Sequence, residues 1–187
     1  MFFPGGGFGP SGTGAAAGAV GDEDVDPALE ADAPEFGSEM PRLLLEAALE
    51  RGFAVACVNY RQHPEAVYPE PQRDAARAVQ TLVARSVDLG LDPARVAAVG
   101  QSAGACLAGW IALMPDRADP AAHDPIARAS SRPLCWGNLS GSVDFEVVAP
   151  KMRVPLFGNQ RVEDVPEDLR REASPAWLAR AWTSPPP

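Results

Sequence analysis

Gly100-Gln101-Ser102-Ala103-Gly104 sets a serine midway between two glycines. In such a G-x-S-x-G pentad the hydroxyl can act as a nucleophile, provided a strand runs into the turn and a helix leaves it. Both flanks have that character. Arg95 to Val99 is a short apolar run introduced by the Asp92-Pro93 turn signal, and Ala105 to Met114 has no breaker before Pro115. A turn this sharp forces strained backbone on the serine, so the positions two before and two after it must be tiny. The hydroxyl then stands at a helix N-terminus, where the dipole favours developing negative charge. The pentad alone would mark only a tight turn between strand and helix. Between these flanks, Ser102 is the candidate nucleophile.

A serine used in this way needs a base, and the base needs an acid to orient it. The chain has two histidines, His63 and His123, and only His123 follows Ser102. The nucleophile is legible and its machinery is missing.

The elements that must position Ser102 can be read from the periodicity. Met1-Phe2-Phe3 ends a strand that runs into Pro4-Gly5-Gly6-Gly7-Phe8, and residues 9–37 are Gly, Ala, Pro and acid without periodicity. A segment of that length is either a mobile or a functional loop. Ser38 can cap a helix with Met40, Leu43, Leu44, Ala47 and Ala48 on one face, stopped by Gly52. Phe53 to Tyr60 and Leu134 to Leu139 read as strands buried on both faces. Pro71 opens a helix with Ala75, Val79, Leu82 and Val83 inward, ending near Gly90. A last short helix starts at Ser174-Pro175 and carries Trp177, Leu178 and Trp182. Strands alternating with helices predict one α/β domain over residues 1–187, a doubly wound and mostly parallel sheet with right-handed crossovers.

Composition narrows the partners. The 187 residues are 46% apolar and 22% charged, ordinary for a globular chain. The net charge of −9 is unevenly placed: residues 1–41 hold eight acidic side chains and no Lys or Arg. The remainder is nearly neutral, so no basic face is available to neutralise nucleic-acid phosphates. The acidic stretch at 22–35 reads as a solvated loop. Cys57, Cys106 and Cys135 lie in apolar patterns without metal-like spacing, which predicts buried free thiols in a reducing, cytoplasmic compartment. No run has transmembrane length, and the N-terminus lacks a basic region followed by an apolar stretch. No metal or cofactor is expected.

Three strings taken together resemble the α/β-hydrolase superfamily: Pro4-Gly5-Gly6-Gly7-Phe8, then Asn59-Tyr60-Arg61-Gln62-His63-Pro64-Glu65, then Gly100-Gln101-Ser102-Ala103-Gly104-Ala105. Within it they are most similar to hormone-sensitive-lipase-like and feruloyl-esterase-like bacterial carboxylesterases, whose pattern is H-G-G-G-[FW], D-Y-R-x-x-P-E and G-x-S-A-G-[GA]. Arg73 to Val79, Asp92 to Val96 and Ala173-Ser174-Pro175 match as well, so the resemblance runs from about residue 2 to the C-terminus, least so over 9–37.

The resemblance implies hydrolysis of a small-molecule carboxylic ester. Ser102 would attack the acyl carbon, and the backbone amides of Gly6, Gly7 and Ala103 would form the oxyanion hole. Glycines let the backbone approach that oxygen without a Cβ in the way. Pro4 stands where the family has a histidine that braces this loop, and proline brings no donor. The family's acid and histidine follow the serine in that order, which leaves His63 and His123 outside the catalytic role. Glu65 and the Asn59-Tyr60-Arg61 string read as structural, and Asp144 as a turn residue. Measured against the resembled fold, the chain holds about four core strands in the order 4-3-5-6 and looks truncated at both ends. The outer two would then be edges, open to pairing with another chain. Besides an esterase, a non-catalytic domain completed by a homo-oligomer or a complementing chain is therefore a reading to test.

Overall fold

The computed structural model describes residues 1–5 and 39–183. At its centre lies a parallel three-stranded sheet, in the spatial order β1 (Phe2–Phe3), β2 (Ala97–Gln101), β3 (Cys135–Leu139). Phe2 aligns with Val99, and Ala97 to Gln101 align with Cys135 to Leu139. On the outer side of β1, Cys57 makes a single parallel bridge to Phe2; the Phe2 amide donates to Ala56 O (2.7 Å) and the Val58 amide to Phe2 O (2.9 Å). With that bridge included, the order is the 4-3-5-6 expected from the resemblance. The expected loop at 9–37, the Ser38 cap and the amides of Gly6 and Gly7 lie outside the described residues.

Five helices accompany the sheet among the described residues: α1 (Glu39–Glu50), α2 (Glu70–Ala84), α3 (Ala103–Leu113), α4 (Glu167–Ala173) and α5 (Pro175–Thr183). Their ends follow the sequence signals. Gly52 takes φ +78° after α1, with the Phe53 amide on Ala48 O (3.0 Å) and the Gly52 amide on Leu49 O (2.9 Å), the paired bonds of a Schellman stop. Gly90 at φ +65° closes the turns after α2 with the same pair, Leu91 N to Ser86 O and Gly90 N to Val87 O. Pro71 sits in the first turn of α2, where its missing N–H costs nothing. Asp92 accepts from the Ala94 amide at 2.9 Å and so builds the turn into β2.

Helix α3 is the centre of the core. Residues 103 to 111 are all buried, because α3 lies against all three strands and against α2 and α5. A helix enclosed this way is apolar all round rather than striped. Gly109 permits the approach of α5: a Cβ there would stand 3.1 Å from the Trp136 ring and 3.2 Å from Pro175. Fully buried Leu107, Trp110 and Val79 contribute about 1.5–3 kcal/mol each by leaving water. The Trp110 indole N–H still finds an acceptor, Glu172 O at 3.1 Å.

Several expectations need correction. Phe53 to Tyr60 is not a strand buried on both faces: only Cys57 bridges to β1, Phe53 is 61% exposed, and Val58 and Tyr60 alone turn into the core. Leu134, expected to open a buried strand, is 72% exposed, and β3 begins at Cys135. Both segments flank the sheet, and burial on two faces requires neighbours and helices on both sides. For the same reason the thiols are not all buried, since Cys57 and Cys135 are exposed and Cys106 alone is enclosed. The apolar positions Leu43 and Leu44 of α1 are likewise left exposed.

The sequence reading also missed the hairpin β4 (Arg153–Val154) with β5 (Gln160–Arg161), the single 3₁₀ turns at 155–157 and 162–164, and α4. Two-residue strands carry no alternation to detect. This segment drives Leu156 and Phe157 into the core, where Phe157 meets Phe145 edge-on at 5.1 Å and Tyr68 at 6.3 Å.

The thiol corrections yield a direct expectation. Burial pushes the Cys106 thiol up to about 12, whereas Cys57 and Cys135 are open to reagent. Titration of the native protein with an aromatic disulfide at pH 8 should therefore release two equivalents promptly. The third should appear only on unfolding; release of three equivalents from folded protein would contradict this packing.

Candidate active site

Ser102 occupies the junction between β2 and α3, with φ +49° and ψ −119°. A non-glycine residue in this region costs about 1–3 kcal/mol, so the surroundings must hold it there. They do so through the backbone. The Ser102 amide donates to Leu139 O (2.9 Å), extending the β2–β3 ladder by one bond, and its carbonyl accepts from the amides of Ala105 (3.0 Å) and Cys106 (3.2 Å). The side chain makes no capping bond to its own helix and is exposed. A hydroxyl without a capping role and open to solvent is what a nucleophile needs.

The flanking glycines are required by contact. A Cβ on Gly100 would fall 2.2 Å from Gly104 O, and one on Gly104 would fall 2.1 Å from Phe3 O and 2.5 Å from Pro4 O. The first turn of α3 thus presses directly on the end of β1. Gly5 lies on the other side of the serine, where an added Cβ would meet both Ser102 Cβ and Gln101 O at 3.2 Å. Of the sequence-derived site residues, the structure brings together Ser102, Ala103 and the start of the glycine run. Ala103 is buried in the first helical turn, where backbone N–H groups lack intrahelical acceptors. Gly6 and Gly7 lie outside the described residues.

The segment after β3 forms a further wall that the sequence reading did not identify. A Cβ on Gly141 would come within 2.5 Å of Ser102 O and 2.4 Å of Ala105 Cβ. Asn138 holds this turn, accepting from the Gly141 amide (2.7 Å) and donating to Gly141 O (3.2 Å), with Ser140 at φ +56°. The run Asn138-Leu139-Ser140-Gly141 is rich in turn formers and carried the signal. Ser174, fully buried, fixes the next stretch by accepting from the Phe145 amide (2.8 Å) and donating to Arg170 O (2.6 Å). The Ala176 amide adds a bond to Val143 O at 2.8 Å. The Ala173-Ser174-Pro175 string is therefore a clamp on the wall of the site.

The titratable candidates sit elsewhere. His63 is half-buried in the loop after Tyr60, and His123 is exposed in the Pro/Asp-rich segment, its carbonyl facing Arg128. Among the described residues no hydrogen bond joins Ser102 to either imidazole. Asp144 accepts from the Glu146 amide at 2.9 Å, as a turn residue does. Glu65 is exposed, and the carboxylates that hold Arg61 are those of Asp74 (2.8 Å) and Glu70 (3.1 Å) on α2. Among the described residues no group of three or more His, Cys, Asp or Glu could hold a metal ion, and no helix is long and apolar enough to cross a membrane.

A parallel sheet whose central strand turns through a strained, exposed serine into a buried helix defines an α/β-hydrolase fold. Comparison with known proteins agrees. An acetyl ester-xyloside bifunctional hydrolase from Caldicellulosiruptor lactoaceticus superposes with a TM-score of 0.69 at 25% identity, over 95% of this chain and 54% of that one. An esterase from Thermogutta terrifontis shares the fold, with a TM-score of 0.59 at 22% identity, over 95% of this chain and 54% of that one. The BD-FAE family model matches residues 34–132, just over half of the chain, and the chain belongs to that family. Curated relatives include a probable isoprenylcysteine alpha-carbonyl methylesterase of Arabidopsis thaliana, 29% identical over 103 residues, or 55% of this chain and 22% of that protein. Lipase 2 of a Moraxella species is 40% identical over 63 residues, covering 34% of this chain and 14% of that protein. The chain thus spans about half the length of these solved structures, and its matched stretch about a fifth or less of these curated relatives.

Gly104→Ala tests the packing of the turn at Ser102. The added methyl meets backbone carbonyls that cannot step aside, so urea unfolding should show a loss of about 3 kcal/mol or more. Gly52→Ala is the control: its Cβ meets nothing within 4 Å and it should cost only the strain of its positive φ.

Proposed function

We propose that this chain carries the nucleophile and oxyanion-hole part of a serine hydrolase acting on small carboxylic esters. The observation that carries the reading is Ser102 itself: strained, exposed, free of capping duty and set at the N-terminus of a buried helix. The Ser102 oxygen attacks the acyl carbon and its proton passes to a base. The tetrahedral oxyanion is held by the amides of Ala103, Gly6 and Gly7, and collapse expels the alcohol with that proton. Water then repeats the sequence on the acyl-enzyme and frees the acid. Removing one oxyanion donor typically costs a hundredfold to a thousandfold in rate, so the reading needs the amides of the glycine run as well as the serine. Neither described histidine is bonded to Ser102, and the reading assigns base and acid to groups brought in from elsewhere. The names of the relatives, methylesterase, lipase and acetyl ester hydrolase, support ester chemistry without choosing an ester.

A second reading, a non-catalytic domain completed by another chain, is favoured by the apolar residues left open at the flanks of the sheet, Phe53 and Leu134 above all.

Intact-mass labelling with a fluorophosphonate tests whether Ser102 is activated in this chain. One adduct, lost in Ser102→Ala, is expected if Ser102 is activated. Folded protein that takes no adduct would remove the reading of an esterase active as this chain alone.

A further inference from the structure

Pro4 leaves the glycine run without a side-chain donor at the point where it departs from the sheet. Its carbonyl is engaged instead. The Tyr60 hydroxyl donates to Pro4 O at 2.7 Å, across 56 residues of sequence. Tyr60 is 8% exposed, and its ring belongs to the same apolar core as Phe3, Ala103 and Leu107. Burial pushes its phenol pKa up, so the group stays a protonated donor at neutral and mildly alkaline pH.

The carbonyl it grips is in a critical place. Pro4 O packs against the first turn of α3, where a Cβ on Gly104 would approach it to 2.5 Å. The next residue, Gly5, stands beside Ser102 Cβ. Only His63-Pro64 and Tyr68-Pro69 are cis among the described peptide bonds, so Pro4–Gly5 is trans. In a planar trans peptide the C=O and the following N–H point in opposite directions. A bond that fixes Pro4 O therefore fixes the direction of the Gly5 amide, and with it the direction in which the chain enters the Gly6-Gly7 run.

We propose that Tyr60 is a positioning residue for the oxyanion loop: by holding the Pro4 carbonyl it sets the Pro4–Gly5 peptide plane beside Ser102. The proposal rests on the reading of Ser102 as nucleophile and of the glycine run as its oxyanion loop. Tyr60 touches no reacting atom and acts through the backbone it orients. Glycines supply no side-chain contacts to define their own path, so a loop built from them depends on an anchor at its entry.

The test is Tyr60→Phe, which removes one oxygen and keeps the ring. Tyr68→Phe, at a second buried tyrosine whose hydroxyl has no hydrogen-bond partner among the described residues, is the matched control. Labelling of Ser102 is followed over a range of fluorophosphonate concentrations, and amide hydrogen exchange is followed in the peptide covering residues 1–8. The expected result is a maximal labelling rate at least about tenfold lower in Tyr60→Phe. The reagent's half-saturating concentration should be unchanged, exchange at residues 5–7 faster, and Tyr68→Phe like wild type.

A general loss of packing would instead move both tyrosine variants, or raise the half-saturating concentration, and would overturn the proposal. So would a Tyr60→Phe protein that labels and exchanges like wild type. Wild-type protein that takes no label would defeat the catalytic sense of the brace in this chain alone. The exchange arm would still report whether Tyr60 holds the loop entry. If Tyr60→Phe does not fold, Tyr60→Met fills the same space without a donor and is read in the same way.

Discussion

The contact on which this structure depends is the one between the first turn of α3 and the carbonyls at the end of β1. Gly104 lies so close to Phe3 O and Pro4 O that no side chain fits between them. That closeness has two effects. It fixes how far α3 can stand from the sheet, and so the depth to which Leu107, Trp110 and Ile111 are buried. It also brings the start of the glycine run beside Ser102. One packing distance thereby serves stability and site geometry together.

Around this contact, strain at Ser102 is balanced by backbone bonds, and the neighbouring segment is held by side chains. Ser102 is held at positive φ by bonds on both its amide and its carbonyl, to Leu139 on the sheet side and to Ala105 and Cys106 on the helix side. The wall after β3 is held by Asn138 and by the clamp of Ser174 on Phe145 and Arg170. Each of these polar groups is satisfied, and an unsatisfied one buried at the same place would cost about 1–3 kcal/mol. Ser102 makes no side-chain bond to its own helix, because its neighbours do the structural bonding.

The flanks of the sheet are organised differently. At the Cys57 bridge on one side and at β3 on the other, apolar residues stand open, among them Phe53 and Leu134. On α5, half-buried Trp177 lies between the guanidinium groups of Arg171 and Arg180, at 4.2 and 4.1 Å. Each is a cation–π contact on the face of the ring. The centre of the sheet is finished and its margins are open, in keeping with a chain that spans about half the length of its solved relatives.

The sequence by itself determined the local features whose causes are local. The pentad at 100–104, the Asp92-Pro93 turn, Pro71 at the start of α2 and the stops at Gly52 and Gly90 follow from φ limits and turn chemistry, which a few adjacent residues settle. The α/β class and the strand order came from alternation and from the three matching strings. What the sequence could not decide was which apolar runs would be covered. Phe53 to Tyr60 and Leu134 to Leu139 have the composition of buried strands, yet burial depends on which elements lie beside them, and that is a property of the whole fold. The same holds for the thiols at 57 and 135. It holds also for the bonds that reach across the chain, Tyr60 to Pro4 and Ser174 to Phe145, because partners far apart in sequence leave no periodic mark. Tertiary structure decided those, by bringing the carbonyl of one strand end within reach of a hydroxyl 56 residues away.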